Sequence, residues 1–297
     1  MILVTSAAGR TGQAVLRKLA ARGQPVRAIV RRAEQVEAVR LLGAQETIVG
    51  DMRARAVMEQ AARGVRAIYY ICPAMVPDEF DMARTAMLAA RAAKVEHFVY
   101  HSALHPHIQS LPHHQQKLRV EERLLEFGLA YSVLRPASYM QNVLGHWDEI
   151  VEHQCYAVPY RVEARLSLVD VEDVAEVAAL VLTQPGHNAA NYDLAGPQAL
   201  SALDIATILS QQLGWPVRAE RMSLETWQAR AYTPDAGGYR LEALLSTFRY
   251  YDRYGLPGNP NVLGWLLGRP PTTFTQFIGR SAEELRLRMS RARPAPG

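Results

Sequence analysis

Three apolar residues, Ile2, Leu3 and Val4, run into a turn of small residues ending at Gly9, and the chain passes at once into a helical pattern read over Gln13–Arg22, with Gly12 at its mouth. A strand that turns directly into a helix is the opening of a strand–helix–strand crossover, which narrows the fold to a sheet flanked by helices. Such a turn aims unpaired backbone N–H groups along the helix axis, and a pyrophosphate can rest on them where no Cβ intervenes. Gly9 lets the backbone approach that phosphate, and Gly12 lets the helix pack close to the strands. A second apolar strand, Val26–Val30, ends nineteen residues after Gly12 in Arg31 and Arg32, with no carboxylate before Glu34. A carboxylate at that strand end would accept hydrogen bonds from the 2′-hydroxyl of NAD, whereas a guanidinium offers a planar fork to a 2′-phosphate. One charge-assisted contact of that kind contributes about 1.5–3 kcal/mol. This favours NADP(H) over NAD(H) by roughly 10- to 100-fold. Arg31 is the expected phosphate ligand, and Arg32 the more ordinary solvated neighbour.

The rhythm of the opening continues. Candidate strands are Thr47–Val49, Ala67–Ile71, His97–Tyr100 and Tyr131–Leu134, with helical stretches at Ala33–Leu42, Ala54–Ala62, Glu79–Ala93 and His114–Glu126. Alternation of this kind implies a doubly wound parallel sheet of Rossmann type, whose ligands bind beyond the carboxyl ends of the strands. That rule marks Asp51 and Met52, Cys72 and Pro73, His101 and Ser102, and Arg135 and Pro136 as pocket residues. Cys72 reads more readily as a small buried hydrophobe than as a redox thiol. Past residue 140 the alternation breaks down. Leu166–Val171 and Asn191–Leu194 read as strands and Val174–Leu182 and Ala202–Leu213 as helices; Gly and Pro then recur at Gly237, Gly238, Gly255, Pro257, Pro260 and Pro270. The expected division is a dinucleotide-binding domain over residues 1–185 and a smaller helix-rich C-terminal lobe over 186–297 on the substrate side, with the chain crossing between them.

At 297 residues, 49% hydrophobic and 21% charged, the chain can bury a large core. Its net charge of +4 is small and scattered, so direct nucleic-acid binding is not expected, and the basic run Arg286 to Arg293 reads as a solvated tail. Two cysteines, Cys72 and Cys155, suit a reducing compartment. No apolar run is long enough for a membrane span, and no charged leader precedes the first strand, so a cytoplasmic location is expected.

The strand–turn–helix opening, Gly50 and Asp51 after the third strand, Lys117 heading a helix, and the run Leu134 to Asn142 (LRPASYMQN) together resemble the NmrA-like family, atypical members of the short-chain dehydrogenase/reductase superfamily. The stretch Tyr250 to Gly255 (YYDRYG), Asn261 to Leu263 and Leu267 to Pro270 resemble its C-terminal part. The resemblance implies a Rossmann-type domain and NADP(H) held at the turn (Ser6, Ala8, Gly9, Arg10, Thr11 and Gly12), at Arg31, at Asp51 and Met52, at Lys117, and over Tyr139 to Asn142. Arg84 falls where some relatives carry a further basic residue beside the phosphate. Ser6 departs from the family's first glycine. Serine enters left-handed backbone angles reluctantly, and its hydroxyl could instead bond a phosphate oxygen.

Active members of the superfamily carry a tyrosine four residues before the lysine, whose charge lowers the tyrosine pKa for proton exchange. Here that position is His113, and Ser102 takes the serine position. If the helix read over His114–Glu126 begins one turn earlier, His113 and Lys117 share a face, and Ser102, His113 and Lys117 could form a substitute relay. The plainer reading leaves Lys117 to hold the nicotinamide ribose and His113 in a mobile loop. Tyr139 is another potential proton donor. The histidines His101, His105, His107, His113 and His114 lack the interleaved carboxylates of a metal centre. With Pro106 and Pro112 among them they read as a flexible loop over the nicotinamide pocket, and no metal is expected.

Two functions fit. One is an NADP(H)-dependent reductase of a flat, electron-poor small molecule such as a quinone, dye or enone, held against aromatic residues drawn from Trp147, Tyr156, Trp227, Tyr232 and Phe248. The other is a regulator without turnover that senses NADP(H) and docks onto a protein partner. A homodimer is the base-rate assembly.

Overall fold

A computed structural model describes residues 1–231 and 238–282. Tyr232, Gly237 and the basic tail beyond residue 282 lie outside the described residues. In chain order the elements of the first half are β1 (Ile2–Val4), α1 (Arg10–Ala21), β2 (Val26–Val30), α2 (Val36–Leu41), β3 (Ala44–Val49), α3 (Arg55–Ala62), β4 (Ala67–Tyr70), α4 (Glu79–Ala92), β5 (His97–His101), α5 (Pro112–Glu126) and β6 (Tyr131–Pro136). The second half supplies β7 (Ser138–Tyr139), α6 (Trp147–His153), β8 (Cys155–Val158), β9 (Leu166–Val169), α7 (Val171–Thr183), β10 (Ala190–Leu194), β11 (Ala199–Leu200), α8 (Ala202–Leu213), β12 (Arg218–Arg221), α9 (Leu224–Ala231), α10 (Gly238–Tyr254) and α11 (Asn261–Leu267). A last helix runs from residue 274 to the edge of the described residues.

Among the described residues, seven strands form one sheet in the order β10-β6-β5-β4-β1-β2-β3, every pair parallel. This is the doubly wound sheet that strand–helix alternation dictates. Side chains alternate across it as a strand's period of two requires: Ile2 and Val4 pack toward α1 and α7, while Leu3 packs with α3 and α4 on the other face. The strand order reverses beside β1, between β2 and β4, and the crevice beyond those strand ends is where such a sheet leaves room for a ligand.

Helix boundaries differ from the sequence reading where a cap or a proline sets them. Gly9, extended at φ −76°, caps α1, which therefore begins at Arg10 rather than Gln13. Pro112 opens α5, where a missing N–H costs nothing, so this helix starts before His114 and carries His113. Asp170 caps α7 by accepting from the Glu172 amide, bringing its start forward to Val171.

Two small sheets, β11-β9-β7 and β12-β8, follow the large one and lie with α8, α9 and α10 over the carboxyl edge of its strands. Buried carboxylates fasten the C-terminal segment to α7: Asp173 accepts from Arg269 and from the Thr272 amide and hydroxyl, and Asp170 pairs with Arg280 at 2.6 Å. No helix among the described residues is long and apolar enough to cross a membrane.

Candidate functional site

The turn after β1 closes on itself, the Gly9 amide donating to Ser6 O at 2.9 Å. Ser6 does enter the left-handed region, with φ 46°. Its hydroxyl donates to Ile71 O at 2.9 Å and so does not point to a phosphate. This bond to the end of β4 offsets part of the roughly 1–2 kcal/mol that such an angle costs a residue with a Cβ. Gly12 permits no side chain, because a Cβ there would lie 2.5 Å from Ser6 O. The close approach it allows is to this turn rather than to the strands. No side chain caps α1 and no acid sits in its first turn. Among the described residues the amides of Arg10, Thr11 and Gly12 have no acceptor. Three converging donors at the positive end of a twelve-residue helix fit a pyrophosphate.

Arg31 is exposed at the end of β2, with its guanidinium outside every ion pair among the described residues. Its amide and that of Arg32 both donate to Gln35 Oε1, which holds the turn so that the two side chains leave it freely. Asp51 receives the Arg53 amide, and Met52 is buried against the Ser6 hydroxyl. Arg84 is exposed on α4, away from the cavity described next.

From the first turn of α1 a cavity of about 870 Å³ extends past the ends of β4, β5 and β6 toward α10. Of the residues the strand-end rule marks, Cys72, His101, Ser102 and Pro136 line it; Asp51, Met52 and Pro73 lie outside its wall. Arg135 turns away, bound to Glu121 at 2.5 Å and near Asp193. Cys72 is buried, and burial pushes its thiol well above the ordinary range, with the Glu79 charge adding to the effect.

Lys117 lies on the cavity wall, 4% exposed. Its ammonium donates to His101 O at 3.0 Å and pairs with Glu79 Oε1 at 2.6 Å. Glu79 is completely buried and also accepts the Tyr100 hydroxyl at 2.7 Å. Sequence reasoning gave Glu79 no role beyond opening a helix; it meets Lys117 only because the sheet brings the starts of α4 and α5 side by side. His113, one turn before Lys117, lies half-buried on α5 and not in a loop, with Nδ1 3.8 Å from Glu79 Oε2. Burial, and then the Lys117 charge, hold its pKa well below the ordinary imidazole value. Ser102 donates its proton to Glu121 Oε1 at 2.5 Å. No hydrogen bond joins Ser102 to His113 or Lys117, so the three do not form one connected relay.

A different chain of polar groups crosses the site. The Thr11 hydroxyl donates to Tyr139 OH at 3.1 Å, Tyr139 OH meets His101 Nε2 at 3.0 Å, and His101 Nδ1 meets Tyr69 OH at 2.7 Å. The bonds are mutually consistent when Tyr139 donates to Nε2 and Nδ1–H donates to Tyr69. Burial, reinforced by Lys117, lowers the His101 pKa to about 3, so the imidazole is neutral. Arg10 reaches Asn142 Oδ1 at 3.2 Å, closing the chain crossing from α1 to the segment after β7. The segment from His101 to His114 is pinned rather than loose: His105 Nε2 bonds Pro257 O, and His114 Nδ1 bonds His105 O. Among the described residues no three His, Cys, Asp or Glu side chains converge as metal ligands.

The far wall is apolar and aromatic. Tyr156, Tyr160, Trp227, Phe248 and Tyr251 line it, with Trp227 edge-on to Phe248 at 4.7 Å between centroids and Tyr160 edge-on to Tyr251 at 5.7 Å. Tyr160 and Tyr251 escaped the sequence reading, and Trp147 lies outside the wall. The signal for Tyr251 was present in the spacing of Leu244, Phe248 and Tyr251 on one helical face.

The family model of the NmrA-like family matches residues 1–285. The NAD(P)H azoreductase of Xenophilus azovorans is 32% identical over 286 residues, spanning 93% of this chain and 96% of its own. The (4-alkanoyl-5-oxo-2,5-dihydrofuran-3-yl)methyl phosphate reductase of Streptomyces griseus is 34% identical over 289 residues, spanning 95% of this chain and 98% of its own. Among solved structures, the NADPH-dependent quinone oxidoreductase of Escherichia coli complexed with NADPH superposes with a TM-score of 0.82 at 26% identity, covering 96% of this chain and 100% of that one.

Proposed function

This chain belongs to the NmrA-like family, and from that membership we propose that it is an NADP(H)-dependent reductase of flat, electron-poor small molecules such as quinones, azo dyes or enones. The observation that carries the reading is one continuous cavity, running from the open amino end of α1, past Lys117 and Tyr139, to a wall of aromatic rings. The open amides of Arg10, Thr11 and Gly12 receive the pyrophosphate, with Ser6 and Ala8 shaping the turn. Arg31 meets the 2′-phosphate, and Asp51, Met52, Cys72 and Pro73 border the nucleotide. Lys117 holds the nicotinamide ribose, its ammonium kept in place by Glu79 and the His101 carbonyl. Tyr139 and Asn142 close over the nicotinamide end.

When bound, the nicotinamide supplies the hydride. The protein orients the acceptor against it and excludes water with the aromatic wall. Conjugated acceptors spread the charge left by hydride addition, so they demand less of a positioned acid than a simple ketone, and a tyrosine at position 113 is dispensable. We assign His113, which occupies that place on the cavity wall, to relaying a proton as a neutral imidazole, since it is held well below the ordinary histidine pKa and stores none. Ser102 acts indirectly, through Glu121, by fixing the end of β5. Residues 1–185 carry the nucleotide in this reading, residues 186–297 supply most of the substrate side, and a homodimer in the cytoplasm belongs to the same proposal.

The decisive experiment is NADPH oxidation with 1,4-naphthoquinone, followed by the same assay on Arg31→Asp. The preference of kcat/KM for NADPH over NADH should fall by roughly 10- to 100-fold. An unaltered preference, or no turnover by the parent protein with any quinone, azo dye or enone, would overturn the reading.

A further inference from the structure

We infer that Arg240 is the docking point for an oxyanion substituent, so that the preferred acceptors are flat rings bearing a sulfonate, carboxylate or phosphate rather than neutral ones; the inference rests on the reductase reading above. Three observations converge on it. First, the described lining of the cavity includes no Asp or Glu. The described lining therefore offers no carboxylate to pair with a cationic acceptor and none to repel an anionic one.

Second, the other positive or potentially positive groups there are already neutralised. Lys117 is paired with buried Glu79. The lining imidazoles His101, His113, His114 and His146 are all held below the ordinary histidine pKa, burial being the main cause in each. Arg240, in the first turn of α10, lines the cavity and makes neither an ion pair nor a hydrogen bond among the described residues. Its neighbours are otherwise engaged: on the same helix Arg249 pairs with Glu242 and Arg253 stacks over Tyr254, and Arg221 pairs with Asp252.

Third, the placement on α10 suits a ring with one charged end. Arg240, Leu244, Thr247, Phe248 and Tyr251 all line the cavity and recur at helical spacing, so they form one stripe. Along the helix axis the Cα of Arg240 precedes that of Leu244 by about 6 Å and that of Tyr251 by about 16 Å, at 1.5 Å per residue. A flat ring lying on the Leu244–Phe248 part of the stripe brings a substituent at its edge to Arg240. Arg240 itself is exposed, so it stands at the mouth of this space, where an anionic substituent on a ring held by the apolar wall gives up part of its hydration and needs a partner. A guanidinium is such a partner, because its fork of donors matches two oxygens of one oxyanion.

The test compares 1,4-naphthoquinone with 1,4-naphthoquinone-2-sulfonate at saturating NADPH. In the parent protein the sulfonated quinone should have the lower KM, by tenfold or more, and that advantage should shrink as ionic strength rises. In Arg240→Gln the ratio of kcat/KM for the sulfonated over the neutral quinone should collapse at least tenfold, through KM, and Arg240→Lys should recover part of it. A ratio that changes less than twofold in Arg240→Gln overturns the inference and leaves the reductase reading standing. Should neither of these quinones turn over, nor any other quinone, azo dye or enone, the reductase reading fails on its own. Calorimetric titration of the NADP⁺-saturated protein then still decides Arg240. Naphthalene-2-sulfonate, 2-naphthoate and 2-naphthyl phosphate should bind the parent protein at least tenfold more tightly than Arg240→Gln, and their order of affinity identifies the oxyanion. Equal affinities in the two proteins would also overturn the inference.

Discussion

Glu79 carries more of this site than any residue the motifs single out. Fully buried, it answers the Lys117 ammonium at 2.6 Å and the Tyr100 hydroxyl at 2.7 Å. Removing one partner of such a pair leaves the other charge unanswered in the interior, at a cost of about 3–5 kcal/mol. Glu79→Gln should therefore lose about 3 kcal/mol or more in urea unfolding, and its KM for NADPH should rise as Lys117 loses its anchor. Pairing it with Lys117→Met should cost less than the sum of the two single changes, and additivity in the double-mutant cycle would argue that the ion pair has no energetic coupling. The buried histidines make a second residue-level prediction. Burial, as the largest cause, lowers His101 to about 3 and His97 and His114 to about 4, all below an unfolded value near 6.5. Between pH 6.5 and about 4 the unfolded chain thus binds protons that the native one refuses, and stability falls as the pH falls. The denaturation midpoint should drop steeply over that window, and less steeply in His114→Asn. A midpoint flat from pH 6.5 to 4.5 would contradict the assignment of neutral, buried imidazoles.

At the scale of elements, α10 shows how an ordinary amphipathic helix becomes a wall. Its inward stripe presents Phe248, against which Trp227 packs edge-on at 4.7 Å. Phe248→Ala should remove the ring that a flat acceptor lies against, raising KM for 1,4-naphthoquinone about tenfold while leaving KM for NADPH within twofold. A larger effect on NADPH than on the quinone would place the substrate elsewhere. What the sequence disclosed divides along the same lines. The strands of the large sheet follow from their apolar runs, and β1, β2 and α8 have the expected limits, because period and capping are local properties. The open turn at Gly9 and Gly12 and the basic end of β2 were legible for the same reason. The Glu79–Lys117 pair, the Thr11–Tyr139–His101–Tyr69 chain and the Ser102–Glu121–Arg135 cluster were not. Their members lie 14 to 128 positions apart, and only the packed sheet brings them together. Proline misled once: Pro112, read as a loop residue, is the first residue of a helix, and that shift is what puts His113 on the same helix as Lys117.

The whole molecule works as two surfaces facing across one cavity. The sheet with its first helices supplies the nucleotide side, and α10 with the small sheets supplies the aromatic side. Asp173, buried on α7, holds Arg269 and Thr272, while Asp170 holds Arg280, so the C-terminal segment is tied to the helix that packs beneath α1. A nucleotide bound from the α1 turn to Lys117 would add a further link between parts of the chain that unfolding separates. Its effect on global stability is therefore a direct measure of the site. A ligand of the native state contributes RT ln(1 + [L]/Kd), about 2.7 kcal/mol at a hundredfold excess over Kd. If Arg31 makes NADH bind tenfold more weakly, the same concentration of NADH contributes about 1.4 kcal/mol. At about 2–4 °C per kcal/mol for a chain of this size class, NADPH should raise the melting temperature about 3–5 °C further than NADH does. In Arg31→Asp the two nucleotides should give equal shifts or reverse their order. Equal shifts in the parent protein would mean that the end of β2 does not read the 2′-phosphate, whatever the reductase assays return.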